Sequence, residues 1–224
     1  FVVGFSVHAC GGYTACLIPH LEQVRSHLGR LPHNVIADAG YGSEENYAYL
    51  EQHQLGNYVK YTTFYQETHP PRQAERVRRR RFLVENFPYD PATDEFRCPA
   101  DHALHFERLS AHVSENGYAS EHRVYACDHC AACPLKPECT RASGHRTIQI
   151  SLRLIEYRRQ ARANLTSEEG RRLRAARSTD VEPVFGIIKH NMGFRRFHLR
   201  GQPKVQTEWG LVSMAHNMKK LAAR

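Results

Sequence analysis

The chain has 224 residues, enough for one well-buried core or for one core with an inserted subdomain, and its 41% hydrophobic content argues against general disorder. Its formal charge is +8 with a sequence pI near 9.2, and much of the surplus is arginine, which favours a polyanionic partner through bidentate phosphate contacts. No apolar run approaches the roughly 18 residues of a membrane span and no basic-then-apolar signal segment opens the chain, so a membrane role is excluded and a cytoplasmic setting is expected.

Residues 1–7 are short and rich in branched and aromatic side chains, which predicts a strand. Because Phe1 is not an initiator methionine and this segment already reads as a strand, the chain is expected to begin inside a domain. Leu17, Leu21, Val24 and Leu28 recur at helical spacing and Gly29 is a natural stop. Val35-Ile36-Ala37 predicts a second strand that ends at Asp38, with Gly40 and Gly42 permitting a tight exit. Ser43 can cap the next helix, whose first turn carries Glu44 and Glu45 where the dipole favours acids. Residues 56–61 are a third strand candidate. The alternation implies an α/β core with parallel neighbours, and in such sheets ligands gather at the carboxyl ends of strands, where Asp38 sits.

From about residue 62 to residue 144 the helical periodicity disappears and prolines, turns and cysteines take over, which predicts an inserted β-rich, cysteine-containing subdomain between a first core segment (1–61) and a last one (145–224). Arg78, Arg79, Arg80 and Arg81 close a run that begins at Arg76, expected on a strand or loop. Such a run either contacts phosphates or forms a solvated edge that blocks sheet-to-sheet pairing, and the basic net charge favours DNA. Residues 87–97 read as a hairpin. Cys98, Cys130, Cys133 and Cys139, with Cys127 as a substitute for one of them, have spacings and flanking prolines suited to a tetrahedral Zn2+ that would staple a loop-rich segment. Buried free thiols, disulfides and an iron–sulfur cluster are the competing readings, and metal is preferred over them. Cys10 and Cys16 read as ordinary buried residues.

The remainder returns to helices. Residues 152–165 are arginine-rich and helical, and Thr166-Ser167-Glu168-Glu169 has the form of a helix start. Thr179-Asp180-Val181-Glu182 has the same form, so Glu182 reads either as a cap for Thr179 or as a residue facing an active site, with Pro183 tolerated in the first turn. Lys189 lies about two helical turns beyond Glu182, on the same side of a regular helix. Arg195, Arg196 and Arg200 alternate with Phe194 and Phe197, as in a nucleic-acid loop or a packed loop with outward arginines. In the last helix Leu211, Met214, Ala215, Met218 and Ala222 form a stripe, with Val205, Trp209 and Val212 beside it, that reads as core packing. Two carboxylates far apart in sequence, Asp38 after a strand and Glu182 on a late helix, suit a fold that holds divalent metal over a phosphodiester, so the chain is expected to cut or join nucleic acid.

Taken together, residues 37–43, the cysteine-proline segment, residues 181–189 and the Glu208-Trp209-Gly210-Leu211 to Ala215-His216-Asn217 stretch resemble DDE transposases of bacterial insertion sequences, in the family's motif order. The resemblance implies an RNase H-like core in which Asp38 is the second catalytic acid, Glu182 the third and Lys189 the following lysine. It implies Mg2+ or Mn2+ as cofactor, double-stranded DNA at element ends and target as partner, and a homodimer within the DNA complex as the expected assembly. The family's first aspartate belongs to a strand upstream of Phe1, so the polypeptide alone is expected to bind metal weakly and not to turn over DNA. Related groups carry an arginine four residues before the glutamate; here Ser178 holds that place and Arg177, the candidate DNA contact, is one position off. The alternatives are a non-catalytic zinc-containing DNA-binding module, in which the acids are structural, and an RNase H-like nuclease acting on other nucleic acid.

Overall fold

The computed structural model describes residues 1–9, 11–69 and 74–223, and the side chains within them apart from those of Glu75, Arg79 and Glu182; Cys10 lies outside the described residues. Helices and strands are mixed, as an α/β reading expects, and the chain divides into two compact units, residues 1–62 with 159–224 and residues 63–158.

In the first unit, helix α1 (Leu17–Leu28) ends where expected, at Gly29 in the left-handed region with φ 71°. Strand β1 (Asn34–Ala37) pairs in parallel with β2 (Gly56–Val59), and α2 (Glu44–Gln52) between them packs on β2. Ser43 caps α2 by accepting the Asn46 amide, and Tyr47, Leu50 and Val59 are fully enclosed. The expected strand at residues 1–7 does not form. There the amide of Val2 donates to the Asn217 side-chain oxygen at 2.9 Å and its carbonyl accepts from the Asn217 amide at 2.8 Å, so a side chain replaces the sheet ladder.

The second unit opens with α3 (Phe64–Thr68) and α4 (Ala74–Arg80) and is built on an antiparallel sheet of order β3 (Tyr89–Asp90), β4 (Glu95–Arg97), β5 (Ala103–Val113), β6 (Ala119–Ala126) and β7 (Thr147–Ile150). The predicted hairpin at 87–97 is β3–β4. The arginine run is mostly helical rather than strand or loop, in keeping with arginine's good helix propensity. Arg78 and Arg81 both reach Glu138 in α5 (Lys136–Cys139), so they are engaged within the protein. Phe87, Phe96, Leu104, Tyr125, Cys127, Cys130, Ile148 and Ile150 form the core cluster.

Helix α6 (Leu152–Thr166) leads back into the first unit, where α7 (Glu168–Asp180) packs against β1. A helix does start here, but its cap is Ser167, which accepts the Gly170 amide at 3.0 Å, and not Thr166 as the capping-box form predicts, because the Thr166 hydroxyl donates back to the Arg162 carbonyl. Next come α8 (Glu182–Gly186), a π-helical turn over Ile187–Asn191, and α9 (Gln202–Ala222). The stripe expected to pack in the core faces outward instead: Leu211, Met214 and Met218 are exposed, and the buried positions of α9 are Ser213 and His216. The contacts to residues 1–7 account for this orientation. Asn217 must face Val2, and Gly210 leaves room for the Phe5 ring, which a Cβ there would meet at 3.2 Å.

Asp94, left-handed at φ 56° in the β3–β4 turn, ties this sheet together by accepting from the hydroxyls of Tyr89 (2.9 Å) and fully buried Tyr125 (2.7 Å) and from Arg123. Partial burial alone would raise its pKa, but those hydroxyl bonds and Arg123 together hold it below the ordinary aspartate range. Asp94→Ala takes away the acceptor of the buried Tyr125 O–H, which keeps only the bond it accepts from Arg123, and is expected to cost about 1–3 kcal/mol in urea unfolding. A depressed carboxyl stabilises the fold above its unfolded pKa and loses that contribution as pH falls through the folded value. The gap between wild type and variant should therefore close on acidification; a gap that stays constant to low pH would refute the role given to Asp94.

Candidate functional site

Asp38 leaves β1 at its carboxyl end and enters a 3-10 turn, Ala39–Tyr41, before Ser43 starts α2. Gly42 is required there by space rather than by backbone sign: a Cβ would lie 2.5 Å from the Lys60 carbonyl and 2.8 Å from the Tyr47 hydroxyl. Asn46, fully buried, donates to the carbonyls of Thr14 and Tyr41, each at 2.8 Å, and so fixes the turn that carries the acid.

Asp38 itself is 54% exposed in its side chain and is held by two cations. Arg177 Nη2 donates to Oδ2 at 2.5 Å, and Lys60 Nζ to Oδ1 at 3.4 Å. Lys60 follows β2 as Asp38 follows β1, and its amide donates to the Ala37 carbonyl at 3.1 Å. Tyr41 closes the cluster: burial foremost, then Cys16, Tyr13 and Asp38, raise its pKa, with Arg177 acting in the opposite sense.

Arg177 precedes Glu182 by five residues. Thr179 does not cap α8, because its hydroxyl donates back into α7, to Ala176 at 2.9 Å, and α8 begins without a side-chain cap. The capping reading of Thr179-Asp180-Val181-Glu182 is therefore corrected: with Val181 in the right-handed helical region, the chain passes almost uninterrupted from α7 into α8 and has no N-terminus there to cap. The Glu182 side chain is outside the described part. The Met192 amide bonds the Ile187 carbonyl, five residues back, so the backbone beyond Gly186 makes a π-helical turn wider than 3.6 residues, and Lys189 lies within it. Lys189 is exposed there and Ile188 is buried.

Beyond it, residues 193–201 are anchored to α9. The Glu208 carboxylate accepts the amides of His198 (2.9 Å) and Leu199 (3.1 Å), and the Phe194 and Phe197 rings each lie 6.0 Å from Trp209. Partial burial would raise the Glu208 pKa, yet the two amide bonds and His198 hold it below the usual range. Arg195, Arg196 and Arg200 are exposed.

In the other unit, Cys98, Cys127, Cys130, Cys133 and Cys139 line one cavity of about 20 Å³, room for a single small occupant. All are free thiols, so no disulfide joins them. Backbone amides aim at the sulfurs: Arg146 donates to Cys130 at 3.2 Å, His102 to Cys98 at 3.4 Å, and His129 to Cys127. Burial foremost pushes the Cys127 thiol up to about 12, with Cys130 adding to the rise and the His129 amide opposing it. No group of three or more described His, Cys, Asp or Glu side chains stands in an arrangement that could hold a metal ion, so the tetrahedral set expected from the spacing is not assembled. The donor chemistry fits zinc and the positions of the thiols do not yet do so. Among the described residues no helix is long and apolar enough to cross a membrane.

A family model described as a transposase DDE domain matches residues 97–222, more than half of the chain. The chain belongs to this family of DDE transposase domains. The match includes the thiol cavity, Glu182, Lys189 and the arginine loop, and begins after Asp38. No curated protein and no solved structure matches the chain. The partners of Asp38 escaped sequence reading although a signal existed: parallel pairing of two similar strands places the residue after each one side by side. Asn46 and Glu208 carried no such signal, since asparagine and glutamate on helices are commonplace.

Asn46→Ala removes two hydrogen bonds from an enclosed site and is expected to destabilise the first unit by roughly 1–3 kcal/mol. Hydrogen exchange should accelerate first at residues 38–43; exchange unchanged in that turn would show that Asn46 does not hold it.

Proposed function

We propose that the chain is the catalytic part of a DDE transposase with an RNase H-like core, cutting DNA at element ends and joining it to a target. The observation that carries this reading is the Arg177–Asp38 ion pair, which links positions 139 residues apart. It brings the strand-end acid beside the helix that reaches Glu182 about one and a half turns later, roughly 7–8 Å along the axis. Together with membership of the family, this favours Asp38 and Glu182 as two carboxylates of one site.

Mg2+ or Mn2+ would be held by Asp38 and Glu182, hard oxygen donors, and supplies Lewis acidity at the scissile phosphate when bound. A divalent ion bound by Asp38 would have to displace Arg177 and Lys60 from its oxygens, which a second carboxylate from Glu182 and nearby DNA phosphates would favour. Lys60 and Arg177, displaced from Asp38, would then turn toward DNA phosphates. Lys189, Arg195, Arg196 and Arg200 extend that cationic surface on the later segments, where each phosphate neutralised steepens the salt dependence of binding. Arg78 and Arg81, shared with Glu138, contribute less.

In the full-length protein, Asp38→Ala or Glu182→Ala is expected to reduce Mn2+-dependent strand transfer by at least about a hundredfold while leaving duplex binding within a few fold. Strand transfer indifferent to both changes would make the two acids structural and overturn their place in the catalytic site.

The thiol cavity is proposed as a structural zinc site in which binding of the metal would draw together Cys98, Cys130, Cys133 and Cys139, with Cys127 able to replace one of them, into the tetrahedral set that the thiols do not form by themselves. Backbone amides already point at the Cys98 and Cys130 sulfurs, and the metal would staple a unit with a small core. Purified protein should contain about one zinc per chain, and a strong chelator should lower the melting temperature. Metal-free protein with a melting temperature indifferent to chelator would leave the cysteines as buried thiols.

A further inference from the structure

Trp209 is the chain's one tryptophan and stands at the centre of an aromatic group assembled from three segments. Phe185 of α8 lies nearly parallel to it, 16° between planes at 6.1 Å, while Phe194 and Phe197 approach at 6.0 Å from the loop. Such a group usually closes over itself, yet Phe185 is 48% and Phe197 45% exposed. Arg195 and Arg196 lie between Phe194 and Phe197 in the same loop and Arg200 near its end, all exposed and with no acidic partner among the described residues. The loop is also built to keep this shape. It is bounded by left-handed Gly193 and Gly201, and the Glu208 carboxylate fixes two of its amides.

From this we propose that Phe185, Phe197 and Trp209 form a shelf for an unstacked DNA base, with Arg195, Arg196 and Arg200 taking the phosphates on either side of it. The inference rests on the reading of the chain as a DNA-acting enzyme and adds which form of DNA this surface takes. Open aromatic faces offer nothing to a base already stacked in a duplex, whereas every unpaired base has a π-face to place on them. Unpaired arginines supply the complementary charge, and anchoring by Glu208 and Trp209 means little ordering is left to do on binding. Phe185 is three residues from Glu182 on the same helix, so the shelf would hold a base close to the proposed cutting point.

Because Trp209 is unique, its fluorescence reports on the shelf. The chain would be titrated with a short oligothymidylate, a blunt duplex of equal length, and heparin, a polyanion without bases. The single strand is expected to quench Trp209 emission, and heparin is expected not to. Phe185→Leu and Phe197→Leu, which keep the packing and remove the π-face, should weaken single-strand binding roughly 5- to 150-fold. Arg195→Ala and Arg196→Ala should each lower the log–log salt slope by about 0.7. Duplex binding without a single-strand quench overturns the shelf and leaves the DNA-acting reading intact. Absence of binding to either DNA overturns both. Quenching that heparin reproduces, or that survives in both leucine variants, shows charge alone at work and also overturns the shelf.

Discussion

The parallel register of β1 and β2 sets the geometry of the first unit. With Ala37 opposite Val59, both strands leave the sheet at the same edge, so the residue following each one, Asp38 and Lys60, is placed there. An antiparallel pair would have sent the two exits to opposite edges. The same arrangement brings the Lys60 carbonyl against the turn after Asp38, which is why residue 42 can have no Cβ. Helix α7, lying against β1, adds Arg177 to that edge.

The resulting cluster is a poor device for stability. Asp38 is more than half exposed, and ion pairs in that setting contribute little against solvent screening and side-chain entropy. Its physical effect is local: a carboxylate with both oxygens engaged, inside a cationic field that a polyanion or a divalent ion would each reorganise. The first unit gains stability elsewhere, from enclosed Tyr47, Leu50, Val59, Leu165 and Ile188.

The second unit solves a different problem. Its sheet has strands as short as two residues, and its core draws on aromatic rings and two cysteines. Asp94 compensates by gathering two tyrosine hydroxyls and an arginine onto one carboxylate. Arg146 does similar work beside the thiols, donating to a sulfur and to the Cys139 carbonyl while its guanidinium lies 5.9 Å from Phe87.

Local signals were legible wherever one residue decides one event. Gly29 ended α1, Ser43 capped its helix, α7 started within a residue of its capping-box motif, the 87–97 hairpin formed, and Asp38 fell at the end of its strand. The family resemblance was legible for the same reason, since it rests on short motifs in order. What the sequence could not settle was orientation and partnership. The α9 stripe faces solvent because contacts with Val2 and Phe5 turn the helix, Val2 satisfies its backbone through a side chain more than 200 residues away, and Lys189 falls in a π turn that its spacing from Glu182 does not announce. Chain periodicity fixes which residues share a face; only tertiary packing decides which way that face points and which distant charge meets it, because those choices depend on groups far along the chain.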